Sequence, residues 1–389
     1  MLSGITCYQG RGHYLSRQIA SSSLRHGMKL GRSLYDEKGR VLLAKGVKVK
    51  DGYIPKIQSD FAVVYVDDEL SEGIEIKEVI PLEWRLETQS ILAEQWNVWR
   101  HRENSEQLYV NRKLVKSLRN QIKDLIYVLQ GTAILQEDLT TIATYDSQAY
   151  VHAINVAIYS LFIGLSLGYS QSMLVDLGLG AILHDIGEIF VPESILDKPG
   201  ILLPEEYEEM KKHAEIGHKI LARQHELSYF VAHCAFQHHE RLDGSGYPRG
   251  LKGDSIHSFA KIIAVADVFD ALVMDRPQRR GMLPADAMEY LYSRVDVEYD
   301  MTIVAMMSRR VSIYPIGMEV KLSDGSVAII KDANPNFPTR PIVRIIKNEK
   351  GEEIKPKEIN LIEHLSLTIV HTHDKFDNEL GMLLEISNA

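Results

Sequence analysis

The stretch LGLGAILHDIG at residues 177–187 puts a histidine and an aspartate, His184 and Asp185, at the end of an apolar run of helical character. Adjacent residues on a helix point about 100° apart, so these two side chains cannot bind one ion in the same way. They suit a pair of cations if Asp185 bridges both ions and His184 binds one of them. Because a buried imidazole or carboxylate without a partner is costly, the pair predicts a buried polar centre.

Further residues of metal-ligand type interrupt apolar patterns elsewhere in the chain. They are His152, His213, His238, His239 and Asp267. Asp267 is a lone carboxylate in the apolar run 262–269, where it needs a cation or several hydrogen bonds. Together with the first pair, these residues predict one centre that holds two divalent cations and keeps open positions for water. The remaining histidines, including His218 and His233, lie in loops, on polar faces or without a usable neighbour, and we leave them out of the set.

The composition is that of an ordinary soluble protein, with 389 residues, 45% hydrophobic and 25% charged. A net charge of −9 argues against a general nucleic-acid binder, although metals and local arginines still permit an anionic substrate in a cleft. The longest apolar stretches contain Gly, His or Asp before they reach the length that a bilayer needs, so we expect no transmembrane helix. The N-terminus lacks a signal peptide's apolar region, and Cys7 and Cys234 are far apart, which favours a reduced, cytoplasmic setting.

Four regions follow one another along the chain. Residues 1–75 read as a small β-rich regulatory module, 76–134 as a helical connector, 135–310 as a helical bundle with the predicted ligands, and 311–389 as a β-rich extension and tail. The first module lacks the acidic pocket and Lys pattern of a receiver domain, so we expect no control by phosphotransfer. The fold class is therefore mainly α, with a small β-rich module at each end.

Hydrophobic periodicity predicts the individual elements. Helices are predicted near 149–167, 173–187, 205–224, 228–239, 257–274 and 284–294. Strands are predicted within 34–48 and 62–66, and later at 319–322, 326–330 and 341–346. In the connector, leucines and isoleucines recur at helical spacing over 114–129, which predicts a helix that packs in the core or in a dimer.

A longer motif makes the sequence recognisable. The stretch HHERLDGSGYP at 238–248, with HDIG at 184–187, resembles the HD-GYP family, a branch of the HD phosphohydrolases whose members hydrolyse the bacterial messenger cyclic di-GMP. The resemblance runs from about residue 146 to 300 and includes LDKPG at 196–200, VADVFDA at 265–271 and the RP pair at 276–277.

The resemblance implies an HD-type helical bundle around two or three metal ions, usually iron or manganese. It assigns the ligands to the same seven residues, with Asp185 bridging. Relatives with a third metal carry a Glu one helical turn before the first His. This chain has Gln148 there, so we expect two ions.

The resemblance also implies a substrate-binding set. Its members are Lys198, Arg241, Asp243, Gly244, Gly246, Tyr247, Pro248, Arg276, Arg279 and Arg280. Arginines would bind phosphate or a guanine edge, since their planar fork suits both. The glycines would let the backbone approach the substrate, and Tyr247 would stack on a base.

One position departs from the family pattern. Family members carry Lys directly after His-Asp-x-Gly, whereas this chain has Glu188, which we keep with Asp185 as a candidate catalytic residue. An anion in place of a cation about 6 Å from a phosphate changes the interaction by several kcal/mol at an effective dielectric near 20. Lys198 or an arginine would compensate, or Glu188 would turn away or join the metal shell. Gln278, in place of the usual Tyr, is a smaller departure.

The expected function is a metal-dependent phosphodiesterase that converts cyclic di-GMP to pGpG, GMP or both. One alternative is a weak or inactive module that binds cyclic di-GMP or a diguanylate cyclase (GGDEF) partner, for which Glu188 is the best support. Another is a phosphohydrolase of a different nucleotide, since the wider HD group is chemically varied. We expect no binding to DNA, RNA or membranes, and a homodimer stays open.

Overall fold

The computed structural model describes residues 13–36, 40–61, 63–77, 79–100, 110–132, 148–196, 198, 200–274, 281–334 and 337–370. The helices are α1 (Ile54–Asp60), α2 (Leu82–Arg100), α3 (Arg112–Gln130), α4 (Gln148–Ser166), α5 (Gln171–Ile182), α6 (Glu193–Leu196), α7 (Pro204–Ala222), α8 (Tyr229–Gln237), α9 (Ser258–Val273), α10 (Pro284–Ser293) and α11 (Met301–Arg310). The predicted fold class, a mainly α bundle with a small β-rich module at each end, is confirmed.

The β-strands precede and follow the helical bundle in sequence. They are β1 (His13–Leu15), β2 (Arg17–Ala20), β3 (Leu34–Tyr35), β4 (Val41–Leu43), β5 (Val63–Val66), β6 (Glu75–Lys77), β7 (Glu319–Leu322), β8 (Val327–Asp332), β9 (Ile342–Lys347), β10 (Glu353–Asn360) and β11 (Ile369–Val370). In the first module β1 pairs with β6, β2 with β5 and β3 with β4, all antiparallel. The last five strands form one antiparallel sheet in the order β10-β9-β8-β7-β11, with Glu319 opposite Ile329 between β7 and β8.

Helix α4 lies at the middle of the bundle and packs against α5 and α9. It is apolar on most of its faces, and Val156, Ile158 and Leu161 are completely buried. A helix that is apolar all round belongs in a core or in a membrane. Contrary to the expectation from sequence, the stretch 149–166 is long and apolar enough to cross a bilayer, and 72% of it is buried inside the protein. Its apolar character is therefore used in packing the bundle.

Helix α3 belongs to the same core. Its predicted apolar stripe is buried, with Leu118 and Ile122 fully inaccessible. A Cβ added to Gly178 of α5 would lie 2.7 Å from the Ile122 side chain, so the two helices approach closely. The indole of Trp84 in α2 donates to the carbonyl of Gln121 at 3.0 Å. This apolar face was predicted to pack in the core or in a dimer, and the structure shows it in the core.

The helix predicted over 173–187 is shorter than expected, because α5 ends at Ile182. His184 Nδ1 lies 2.7 Å from the carbonyl of Ala181, which a continuing helix would offer to the Asp185 amide. The His184 imidazole thus occupies the carbonyl that the next turn of the helix would use. The chain continues as a short 3-10 segment, Ile186–Phe190. The prediction also missed α11, whose first turn is capped by the Asp300 carboxylate at 2.8 Å from the Thr302 amide.

The two β-rich modules contact each other. Tyr65, Ile74, Ile76, Ile316, Ile329 and Ile346 form one buried apolar cluster. The Gln18 amide donates to the carbonyl of Gly317 at 2.8 Å, and the Arg344 guanidinium donates to the carbonyl of Leu70 at 2.9 Å. Residues from opposite ends of the chain therefore share a small core beside the helical bundle.

Candidate metal centre

The seven predicted ligands converge at one place in the bundle, although they come from different elements. They lie on α4 (His152), after α5 (His184 and Asp185), on α7 (His213), at the end of α8 (His238 and His239) and on α9 (Asp267). Their ligand atoms form overlapping groups, each with atoms within 4.8 Å of one another. His218 and His233, left out of the set, pair with each other at 5.6 Å between ring centroids and belong to none of these groups.

Asp185 lies between two sets of imidazoles. Its Oδ1 is 3.2 Å from His238 Nε2 and 3.6 Å from His213 Nε2. Its Oδ2 is 3.0 Å from His184 Nε2 and 3.8 Å from His152 Nε2. Each carboxylate oxygen therefore faces a different pair of histidines, which is the arrangement a carboxylate bridge between two cations requires.

Asp267 closes the group on the His152 side. Its Oδ1 lies 3.1 Å from His152 Nε2 and 3.9 Å from His184 Nε2. On the other side of Asp185, the His239 ring lies 5.0 Å from the His213 ring and 4.0 Å from the His238 ring between centroids. Both sides of Asp185 are thus surrounded by nitrogen and oxygen donors.

The hydrogen bonds of the imidazoles fit a metal site. Nδ1 of His213 lies 2.7 Å from the Met210 carbonyl, and Nδ1 of His238 lies 3.1 Å from the Cys234 carbonyl. A carbonyl only accepts, so each Nδ1 carries the proton and each Nε2 lone pair faces the centre. Among the described residues, His184 Nε2 and Asp185 Oδ1 are buried without a hydrogen-bond partner. Yet His184 Nε2 lies 3.0 Å from Asp185 Oδ2, and Asp185 Oδ1 lies 3.2 Å from His238 Nε2. Such convergence without hydrogen-bond geometry is typical of ligands that share a cation.

Asp270 supports His152 and was missed by sequence reasoning. Its Oδ2 lies 2.8 Å from His152 Nδ1, and its Oδ1 accepts a hydrogen bond from the Asn155 amide at 2.9 Å. Asp270 is completely buried one helical turn after Asp267 on α9. A carboxylate that binds the far nitrogen of a ligating imidazole fixes the ring and raises its basicity. The i, i+3 pair of acids in an apolar helix was the signal available in the sequence.

Burial and neighbouring charges shift the pKa values of the centre in different directions on its two sides. Burial lowers the pKa of His213 to about 4 and the pKa of His239 well below its usual value, because a charged imidazole loses hydration there. Burial opposes the charged form of Asp185, but the nearby His184 and His238 outweigh it and hold its pKa well below the ordinary value. His213 and His239 are therefore neutral beside an ionised Asp185. At His152 and His184 burial also disfavours the charged imidazole, but Asp267 and Asp270 outweigh it to raise the pKa of His152 well above its usual value, and Asp185 outweighs it to raise the pKa of His184.

The loop after α8 closes against the His239 side of the centre. Glu240, which is 2% exposed, accepts hydrogen bonds from the amides of Arg249 and Leu251 at 2.9 and 2.8 Å. This second residue missed by sequence reasoning holds the two ends of the loop together. A Cβ on Gly246 would lie 2.3 Å from the carbonyl of His239, so glycine is required where the loop crosses the ligands.

Tyr247 and Pro248 follow at the far side of this loop, joined by a cis peptide bond. The Tyr247 ring stacks on His239, with 4.6 Å between centroids and 24° between planes. Asp243 and Gly244 form the preceding turn, in which the Asp243 carboxylate accepts from the Ser245 amide at 2.9 Å. The loop therefore places an aromatic ring directly on a predicted ligand.

The other predicted substrate residues are placed differently. Arg241 donates to the carbonyls of His238 and Glu240 at 3.2 Å each, so it also braces the predicted ligands from behind. Lys198 forms an ion pair with Glu206. Arg276, Arg279 and Arg280 lie outside the described residues. Glu188 is half-buried in the 3-10 segment, where its amide donates to the carbonyl of Asp185 at 2.9 Å.

Gly187 allows the 3-10 segment to contact α7. An added Cβ would lie 2.0 Å from the His213 carbonyl oxygen and 2.8 Å from the Gly217 amide nitrogen. Gly187→Ala is therefore expected to push Asp185 away from His213, with a loss of about 2 kcal/mol of stability and of bound metal. Thermal unfolding and elemental analysis measure both effects. In the control Gly52→Ala the added Cβ meets nothing within 4 Å, so equal behaviour of the two variants would contradict this account.

Comparison with known proteins identifies two parts of the chain. Residues 137–303 match the model of the HD domain, and residues 319–378 match that of a KOW domain associated with the HD domain. All seven convergent His and Asp side chains lie within the HD domain match. Residues 137–303 belong to the HD domain family, and the predicted resemblance to the HD-GYP branch of the HD phosphohydrolases is confirmed.

Three relatives are enzymes that act on cyclic dinucleotides. A cyclic di-GMP phosphodiesterase of Pseudomonas aeruginosa is 29% identical over 57% of this chain and 53% of its own. A cyclic di-GMP phosphodiesterase of Thermotoga maritima is 39% identical over 45% of this chain and 46% of its own. A 3'3'-cGAMP-specific phosphodiesterase of Vibrio cholerae is 37% identical over 42% of this chain and 35% of its own. The chain thus spans about half the length of the first two relatives and less of the third.

Proposed function

We propose that this protein is a metal-dependent phosphodiesterase that opens the ring of cyclic di-GMP. The observation that carries the proposal is the position of Asp185, whose two oxygens face separate pairs of imidazoles. Two divalent cations bound there would supply an activated water and neutralise the charge of the phosphate. His152, His184 and Asp267 would hold one ion, His213, His238 and His239 the other, and Asp185 would bridge them.

The donor set supports the choice of metal. Imidazoles suit iron, zinc, copper and nickel, whereas carboxylates suit the harder ions magnesium, calcium and manganese. A mixed set of five imidazoles and two carboxylates therefore fits iron or manganese, as the resemblance implies. The Asp270 carboxylate would hold the His152 ring in place as it binds.

The names of the relatives support cyclic dinucleotides as the substrate class. The test is an assay of the protein loaded with iron or manganese without oxygen, with cyclic di-GMP and 3'3'-cGAMP supplied separately and products resolved by chromatography. We expect cyclic di-GMP to be consumed faster, with pGpG appearing first and GMP later. Faster loss of 3'3'-cGAMP would make that compound the preferred substrate. If neither compound is consumed, the proposal is contradicted.

A non-catalytic binding role is a second candidate, and Glu188 supports it. An anion close after Asp185 opposes the approach of a phosphate, so Glu188→Lys is expected to raise the turnover of cyclic di-GMP by about tenfold or more. Glu193→Lys makes the same charge change at an exposed site and should leave turnover within about twofold. Steady-state kinetics on both variants measures the difference. If the wild type binds cyclic di-GMP without turnover and Glu188→Lys hydrolyses it, the binding role is correct.

The cellular setting follows from the same proposal. A phosphodiesterase of a bacterial second messenger works in the cytoplasm, where its substrate is made. A diguanylate cyclase partner, a homodimer and a regulatory role of the first module stay predictions of the sequence.

A further inference from the structure

Three side chains form a shelf beside the His213 and His239 end of the metal centre. They are Tyr207 and Lys211 from α7 and Tyr247 from the loop after α8. The Tyr207 and Tyr247 rings meet edge to face at 6.1 Å, and Lys211 Nζ lies 5.0 Å from the first centroid and 5.9 Å from the second. Since Tyr247 stacks on His239 at 4.6 Å, the shelf is directly joined to a predicted ligand.

Within the described part of the chain, the counter-ion of the Lys211 ammonium is an exposed glutamate. The ammonium pairs with Glu208, three residues earlier on α7, whose side chain is 67% exposed, whereas the Lys211 side chain is only 25% exposed. Surface pairs of this kind contribute little, so a phosphate would displace the glutamate at low cost. Two other cations of the region are held more firmly. Lys198 pairs with Glu206, which is 25% exposed, and Arg241 is bound to the carbonyls of His238 and Glu240.

The tyrosines add neutral, polar edges to this shelf. A phenol keeps its proton near neutral pH, so both hydroxyls are available as hydrogen-bond donors. Protonated phenols donate hydrogen bonds, and their rings provide faces for a base. A shelf with one cation, two hydroxyl donors and aromatic faces has the chemistry of a nucleotide-phosphate subsite.

We propose that Lys211 binds a phosphate of the cyclic dinucleotide on this shelf and helps to hold the other phosphate at the metal centre. The inference rests on the proposed function and adds a substrate-binding residue that the sequence motifs did not indicate. The Lys211 ammonium acts as a point charge toward the phosphate, which is the usual role of lysine in phosphate binding. Glu208 then turns to solvent.

The test compares Lys211→Met with Lys212→Met in the metal-loaded protein. Lys212 is a matched control, because it is the next residue, forms the same i, i+3 pair with Glu209 and is 57% exposed. We expect Lys211→Met to raise the KM for cyclic di-GMP by about 10- to 100-fold, the value of a charged hydrogen bond, with metal content unchanged. Lys212→Met should stay within about twofold, and Lys211→Arg should recover most of the loss.

The salt dependence separates a phosphate contact from a structural role. Added salt should raise the KM of the wild type more steeply than that of Lys211→Met, since the variant lacks the screened charge. Equal KM values for the two methionine variants, in a protein that turns over its substrate, would overturn this inference alone. If the wild type does not turn over cyclic di-GMP, its equilibrium affinity is measured with the same variants. Absence of both turnover and binding in the wild type would overturn this inference together with the proposed function.

Discussion

Asp185→Asn is expected to lower the turnover of cyclic di-GMP by about a thousandfold or more, which corresponds to about 4 kcal/mol of transition-state stabilisation. The asparagine keeps the size of the side chain but replaces one oxygen with an NH2 group. That group donates where Oδ1 or Oδ2 now faces a pair of imidazole nitrogens. The bridge between the two sides of the centre is lost together with one negative charge, so metal binding and hydrolysis fail together.

The control for Asp185→Asn makes the same chemical change on the surface. Asp254→Asn alters a carboxylate that is fully exposed and forms one pair with Lys261 at 3.3 Å, so its turnover should match the wild type within about twofold. Circular dichroism and thermal unfolding of Asp185→Asn test whether the fold is retained. Turnover by Asp185→Asn above about a tenth of the wild-type value would contradict a bridging role for Asp185.

Asp270→Asn is expected to weaken metal affinity by about 10- to 100-fold. Asp270 accepts from His152 Nδ1 at 2.8 Å and from the Asn155 amide at 2.9 Å, both with carboxylate oxygens. An asparagine offers His152 Nδ1 a neutral oxygen in place of a carboxylate, and its NH2 group needs the Asn155 side-chain amide to flip so that the Asn155 oxygen accepts. The His152 ring is then held and polarised less strongly. Competition with a chelator of known affinity measures the change.

A second buried aspartate provides the control for Asp270→Asn. Asp286 in the first turn of α10 is 5% exposed and belongs to none of the clustered ligand groups, so Asp286→Asn tests burial of an acid without contact to the centre. We expect its metal affinity to equal that of the wild type. Unchanged affinity in Asp270→Asn, or an equal loss in both variants, would contradict the support of His152 by Asp270.

The sequence was sufficient to predict which residues meet. His152, His184 and Asp267 interrupt apolar helical patterns, whereas His213 lies in a charged stretch of α7, and the family resemblance assigned the same seven residues. A polar group at a core position needs a partner, and this requirement is visible without coordinates. The motif at 238–248 also predicted a Gly-rich loop directly after His238 and His239. The convergence of His152, His213 and Asp267 at Asp185 follows from the same patterns once the helices pack.

The supporting residues were not predictable in the same way. Asp270 acts through His152, and Glu240 acts through two loop amides that lie nine and eleven residues further along the chain. Such partners are brought together only when the chain folds. The end of α5 at Ile182 depends on a side chain that takes a backbone acceptor, which helical periodicity does not register. The shared core of the two β-rich modules joins residues that are far apart in sequence, and local patterns carry no information on that contact.

The most direct test of a shared centre is a count of bound metal. The protein and Asp185→Asn are loaded with manganese or iron without oxygen, freed of excess metal by gel filtration and analysed for metal per chain. We predict about two ions per wild-type chain and fewer than about one in Asp185→Asn. A wild-type chain that holds no metal, or an Asp185→Asn chain that holds as much as the wild type, would contradict a centre bridged by Asp185.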